Sequence, residues 1–291
     1  MCATCGCSEG AAGVRVIDPA RRQDHGHEHG PGHAHDHQHG PDHDHQHGPD
    51  HDHGHEHGPD HQHEPAPAAA PDPDRGHTIA LEQRVLARND ELAERNRRWL
   101  TERGILAVNL MSSPGAGKTT LLERTIVDLA GELGVSVVEG DQETLLDADR
   151  ITATGCRVVQ INTGSGCHLD AEMVDRGLRT LAPPERSVVF IENVGNLVCP
   201  ALFDLGEAAK IVITSTTEGE DKPLKYPQMF AAADLVLLNK VDLLPYLDFD
   251  VAKCLAAIRR VNPRAAVLRV SATRGEGLPS WYDWLRDRVG R

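Results

Sequence analysis

The chain has 291 residues, a formal net charge of −14 and only 3% aromatic residues. Such acidity argues against nucleic acid as a partner, and no stretch approaches the ~20 consecutive apolar residues that span a bilayer, so no membrane function is expected. The cysteine count is odd at seven, and Met1 is followed by cysteines instead of a basic region and an apolar run. That pattern points to a cytoplasmic chain using thiols for metal or redox chemistry, not to an exported disulfide framework.

Residues 1–23 form a first segment, marked by Cys2, Cys5 and Cys7 in the string C-x-x-C-G-C. Three thiolates so closely spaced can reach one metal ion, and removal of Met1 would offer the Cys2 amine as a fourth donor. In square-planar geometry this set suits Ni2+; in tetrahedral geometry it suits Zn2+. Beyond the cysteines this segment carries no distinctive pattern.

Residues 24–74 are a second segment. From Asp24 to Glu64 the chain holds sixteen of its eighteen histidines, no Lys or Arg, and Pro or Gly at each block end. Without large apolar residues this tract cannot build a core and is expected to be disordered. Its neutral imidazoles are ready metal ligands, and the interleaved Asp and Glu raise the local cation concentration. A Pro/Ala/Asp linker, Glu64–Asp74, is expected to be extended.

The remainder, residues 75–291, is long enough for one α/β domain of roughly 215 residues. A helix is predicted over Thr78–Glu102, with Leu81, Val85, Leu92 and Trp99 on one stripe that Asn89 and Asn96 interrupt, so it should lie on the domain surface. His77 is expected to play no part in metal binding. Apolar runs then predict strands at Ile105–Met111, Val135–Glu139, Arg157–Ile161, Val188–Ile191, Lys210–Thr214, Asp234–Leu238 and Ala266–Val270. Helices are predicted at Thr119–Leu133, Leu169–Leu181, Tyr226–Ala233, Val251–Val261 and Ser280–Val289. This alternation implies a mostly parallel sheet with helices on both faces, whose ligands sit beyond the carboxyl ends of the strands.

The chemistry-bearing motifs all follow strands. Ser113–Thr119, SPGAGKT, fits a phosphate loop, except that Ser112 stands where G-x-x-x-x-G-K-[ST] has its first glycine. Gly115, Ala116 and Gly117 would wrap backbone N–H groups around phosphate, with Thr120 opening the helix beyond. Lys118 would reach the terminal phosphates, and the Thr119 hydroxyl would bind Mg2+. Asn239-Lys240-Val241-Asp242 has the form NKxD: Asp242 can accept both guanine edge donors, which adenine lacks, while Asn239 braces the base and Lys240 packs on it. GTP and GDP are therefore the expected nucleotides. Ser271 and Ala272 fit a further base-contacting loop. Glu192 suits a residue near Mg2+ or the attacking water. Asp141 is either a second such residue or a helix N-cap. No arginine finger is identifiable, so slow intrinsic hydrolysis is expected. Cys167 and His168, with Cys199, form a three-ligand metal set on neighbouring loops, open or completed by another subunit. Cys156 and Cys254 read as structural.

With these strings in hand, the chain resembles the hydrogenase nickel-incorporation GTPases, the HypB family of SIMIBI-class P-loop NTPases. The resemblance rests on MCATCGC, the histidine insert, NLMSSPGAGKTTLLE, EGDQET, NTGSGCHLDA, ENVGNLVCPA and LLNKVDLLPY, and Ser at the loop's first position fits that family. It implies a tight nickel site at Cys2, Cys5 and Cys7, and a nickel or zinc site at Cys167, His168 and Cys199. It also implies homodimerisation dependent on nucleotide or metal, and GTP-driven Ni2+ delivery to a hydrogenase large-subunit precursor with a zinc-containing nickel carrier. A urease-type or zinc metallochaperone GTPase is the neighbouring alternative, although Cys-Pro-His and C-x-C-C signatures are missing. A nickel or zinc storage protein is the alternative from another class.

Overall fold

The computed structural model describes residues 15–17, 73–141, 146–164 and 168–290. Cys2, Cys5, Cys7, the histidine tract, Cys167 and nearly all of the Glu64–Asp74 linker lie outside the described residues. Among the described residues, no helix is long and apolar enough to cross a membrane.

Eight strands form one sheet: β1 (Arg15–Ile17), β2 (Leu106–Ser112), β3 (Val135–Asp141), β4 (Arg157–Asn162), β5 (Val188–Glu192), β6 (Ala209–Ser215), β7 (Leu235–Asn239) and β8 (Ala266–Arg269). Their spatial order is β1-β4-β3-β5-β2-β6-β7-β8. Every pairing is parallel except that of β1, which adds antiparallel to β4 at the edge. The predicted seven strands are thus all present; three-residue β1 is the addition, too short for its alternation to be read.

Strand alternation divides the core. Leu106, Val108 and Leu110 of β2 face a cluster containing Leu121, Leu122 and Ile126 of α2 (Lys118–Asp128), Ile151 of α3 (Leu146–Ala153) and Trp281 and Leu285 of α9 (Leu278–Arg286). Ala107, one residue out of phase, joins the opposite cluster with Leu100 of α1 (Pro73–Glu102) and Val174, Leu178 and Leu181 of α4 (Ala171–Leu181). Met111 joins the same face further along, against Met229 and Phe230 of α7 (Pro227–Ala231) and Ile258 of α8 (Val251–Val261). A period-2 pattern buried on both sides is what a parallel sheet between two helical layers requires.

Several boundaries depart from the sequence expectation. Pro73 and Asp74, assigned to the extended linker, already belong to α1. The predicted helix over Tyr226–Ala233 is the shorter α7, and a further short helix that the sequence did not suggest, α6 (Lys222–Lys225), precedes it; each has proline in its first turn, where proline is tolerated. Helix α2 stops at Asp128, short of Leu133.

The largest correction concerns α1. Its docked stripe is Asn89, Ala93, Asn96 and Leu100, all buried, whereas Val85 is 52% exposed. The asparagines that interrupt the apolar pattern are the contact itself. Asn96 Nδ2 donates to Ala171 O and Leu205 O at 2.8 and 3.0 Å, and Asn89 accepts from Ala171 N while donating to Asp204 O. Opposite them, Gly206 has φ +88°, and a Cβ there would lie 2.5 Å from Ala93 O. The helix thus caps loop backbone with amide side chains alongside Ala93 and Leu100, instead of docking through the predicted apolar stripe.

Candidate functional site

The carboxyl ends of β2, β3, β5, β6 and β7 lie side by side. The registers Leu110↔Glu192, Glu139↔Glu192 and Ser215↔Asn239 fix the functional loops against one another. A cleft of about 600 Å3 opens there, lined by Ser112–Gly115, Gly117–Thr120, Asp141, Asp147, Arg150, Val194, Gly195 and Lys240.

The phosphate loop is built for anion contact. Helices α4 and α8 are capped by Asp170 and Asp250, whose carboxylates accept from Met173 N and Lys253 N. Helix α2 instead has Gly117 at its N-cap, with no side-chain cap and no acidic residue in its first turn. Its positive end is left to an external anion. Gly117 has φ +94°, and a Cβ there would meet Asn239 Nδ2 at 2.5 Å, so loop and NKxD segment approach too closely for any side chain. Ser112, by contrast, is the last residue of β2 and is not among the positive-φ positions, so its backbone does not require glycine.

Lys118 Nζ donates to Glu192 Oε1 at 2.8 Å, and Thr119 Oγ1 donates to the same oxygen at 2.7 Å. Glu192 is 1% exposed, and its Oε2 is buried without a partner. Beside it stands Glu139, a residue the sequence reading passed over. Burial, with the nearby Glu192 charge, pushes its carboxyl up to about 9. Asp141 ends β3 and lines the cleft.

Asn239 ties three loops together. Its Nδ2 donates to Ala116 O at 3.0 Å, and its Oδ1 accepts from Ala272 N at 3.1 Å. Lys240, at φ +62°, extends its Nζ to Gly115 O at 2.7 Å. Asp242 lies just beyond, half-buried in a 3₁₀ turn over Val241–Tyr246. Ser271 is buried in the loop after β8. A further network not apparent from sequence braces the loop from below. Lys222 Nζ donates to Ser113 Oγ at 2.7 Å and also pairs with Glu218, which in turn accepts from Ser113 Oγ and Ser215 N. Burial alone would raise the Glu218 carboxyl, but these bonds hold it below its ordinary range.

On the other side of β5 the second set of loops begins. The His168 ring stacks on Phe203, centroids 4.0 Å apart, and Phe203 directly follows α5 (Cys199–Leu202). The two loops carrying His168 and Cys199 are therefore neighbours; Cys167 lies outside the described residues. Burial lowers the His168 pKa and favours neutral imidazole, the form that binds metal. Between the two regions lies Asn193, fully buried. Its Oδ1 accepts from Leu169 N at 3.2 Å, and its Nδ2 donates to Asn109 Oδ1 at 3.4 Å. Cys156 and Cys254 take no part in either region, and burial pushes their thiols up to about 12 and about 11.

A glycine-bearing loop between β2 and α2, facing an NKxD turn at the end of β7, defines a P-loop GTPase fold. Residues 106–269 match the family model "CobW/HypB/UreG, nucleotide-binding domain". Hydrogenase maturation factor HypB of Rhizobium leguminosarum bv. viciae is 59% identical over 213 residues, 73% of this chain and 71% of that protein. Among solved structures, HypB from Archaeoglobus fulgidus is 41% identical with a TM-score of 0.66, covering 70% of this chain and 100% of that one. HypB from Helicobacter pylori, solved in complex with nickel, is 37% identical with a TM-score of 0.65, covering 69% and 95%. The chain belongs to the HypB family of hydrogenase maturation factors.

Proposed function

We propose that this protein is a GTP-hydrolysing nickel chaperone that delivers Ni2+ to a hydrogenase large-subunit precursor. The observation that carries this reading is the Glu192–Asn193 pair. Glu192 accepts from Lys118 and Thr119, and the next side chain, Asn193, accepts from Leu169 N beside His168. One two-residue segment thus contacts both the phosphate loop and the candidate metal loop.

The oxygen chemistry fits Mg2+. Thr119 Oγ1 and a buried carboxylate with an unpartnered Oε2 are hard donors of the kind this ion takes. Thr119 and Glu192, with Asp141, would hold it, and its charge would offset that of the phosphates. Lys118 exchanges Glu192 for phosphate oxygens, the α2 N-terminus receives the same phosphates, and Asp242 selects guanine by accepting from its edge. Glu192 and Asp141 orient the water for attack. Nickel is cargo: Cys2, Cys5 and Cys7 hold it tightly, Cys167, His168 and Cys199 hold nickel or zinc, and the 24–74 tract gathers ions for both. The family resemblance adds cytoplasmic action, a homodimer and a zinc-containing carrier as donor. The nickel-bound relative of H. pylori supports nickel as the cargo.

The test is hydrolysis and maturation together. The full chain with Mg2+ should release phosphate from GTP in preference to ATP, and Lys118→Ala should lose both that activity and hydrogenase maturation in a strain lacking its own factor. Full maturation by Lys118→Ala at ordinary nickel would sink the proposal.

A further inference from the structure

We infer that Arg150 of α3 is a ligand for the phosphate chain of the bound nucleotide, a role that rests on the nucleotide reading above. Among the described residues, three basic side chains line the cleft: Lys118, Lys240 and Arg150. Lys118 is engaged by Glu192, and Lys240 by Gly115 O. Arg150 differs from both in how its fork is held. Its Nε and Nη2 meet Glu123 Oε1 and Oε2 at 3.0 and 2.6 Å, a two-point contact that fixes the guanidinium plane against α2. The same Nη2 lies 3.4 Å from Thr120 Oγ1, at the start of the phosphate-loop helix. Among the described residues, the remaining nitrogen, Nη1, reaches only Asp147 Oδ1, at a long 3.4 Å, and the side chain is 45% exposed.

The geometry is that of a guanidinium gripped along one edge and open to exchange along the other. A phosphate oxygen is a better partner for Nη1 than an Asp147 carboxylate at 3.4 Å, because a charge-assisted bond is normally 2.7–2.9 Å. Burial of Ala148 and Ile151 on the apolar side of α3 keeps that edge turned toward the cleft. The charge is supplied from within the same chain, and it sits beside Thr120, so it serves GDP and GTP alike.

Binding of GDP, a non-hydrolysable GTP analogue and guanosine to the full-length chain separates this role from a structural one. Arg150→Ala should weaken GDP and the analogue about 10-fold while leaving guanosine unchanged, and Arg150→Lys should recover part of the loss. Unchanged GDP affinity in Arg150→Ala would overturn the inference. So would an equal loss for guanosine, which would make Arg150 a strut between α2 and α3. A wild-type chain that binds no GDP would instead remove the nucleotide reading beneath it.

Discussion

The nucleotide cleft and the loops carrying His168 and Cys199 sit on the same edge of one sheet, yet they are prepared in different ways. In the cleft, the groups meant for the ligand already bond one another: Lys118 and Thr119 to Glu192, Asn239 to Ala116 and Ala272, Lys240 to Gly115. Binding there is an exchange of partners within a rigid frame. On the other side, the His168 imidazole, whose pKa burial lowers, lies against Phe203 beside a short helix headed by buried Cys199. That region offers soft donors in an apolar setting and leans on α1 and Asn193 for its position. A preorganised cleft beside a separately braced set of loops is a suitable arrangement for the proposed dependence of metal retention on nucleotide state.

The comparison breaks most visibly if the exchange fails. Lys118→Ala should reduce GTP affinity or turnover by roughly 100-fold or more, the scale of losing a preorganised donor to a phosphate oxygen. The effect should not extend to nickel titration in the absence of nucleotide. A change in that nucleotide-free nickel affinity would show that the two regions are not separable in the way drawn here. Next in size, Asp242→Asn should lower guanine nucleotide affinity about 100-fold. It should also raise affinity for xanthine nucleotides, because the amide donates where the guanine amino group is replaced by a carbonyl. Competition binding with GTP and XTP reads both, and an unaltered preference would remove Asp242 from base recognition.

A smaller effect tests the bridge. With Asn193 intact, nickel affinity of a Cys2/Cys5/Cys7→Ala chain should differ between GDP and a GTP analogue, by roughly 5–150-fold if the coupling is of ordinary size. Asn193→Ala should shrink that ratio toward one, since it cuts the link between Leu169 N and the Glu192 strand end. A ratio unchanged by the substitution would place the coupling elsewhere.

Much of this was legible because it rests on local chemistry. β-branched runs gave the seven parallel strands, and SPGAGKT and NKVD lie at the ends of β2 and β7 as their spacing required. What escaped depends on tertiary contact. Arg150 reads as one more helix-surface charge until α3 is packed on α2. Glu218 and Lys222 show their purpose only when Ser113 lies between them. Glu139 looks like an ordinary strand-end acid until Glu192 is its register partner. The misread stripe of α1 has the same origin: burial by amide side chains leaves no apolar period to detect, because the partners are carbonyls supplied from 75 to 115 residues away.

That helix supplies the smallest test. Asn96 binds Ala171 O and Leu205 O, which flank the His168 loop and α5, and contacts nothing in the nucleotide cleft. Asn96→Leu leaves two buried carbonyls without this donor, at a cost of about 1–3 kcal/mol, and should lower the urea midpoint accordingly. Because both carbonyls belong to the loops next to His168 and α5, hydrogen exchange should rise at Leu169–Met173 and Leu205–Glu207 while Ser113–Thr119 keeps its protection. GDP affinity should remain at the wild-type value. A loss of GDP affinity or of phosphate-loop protection would mean that α1 braces the whole sheet edge, and the contrast between a rigid cleft and separately braced His168 and Cys199 loops would have to be given up.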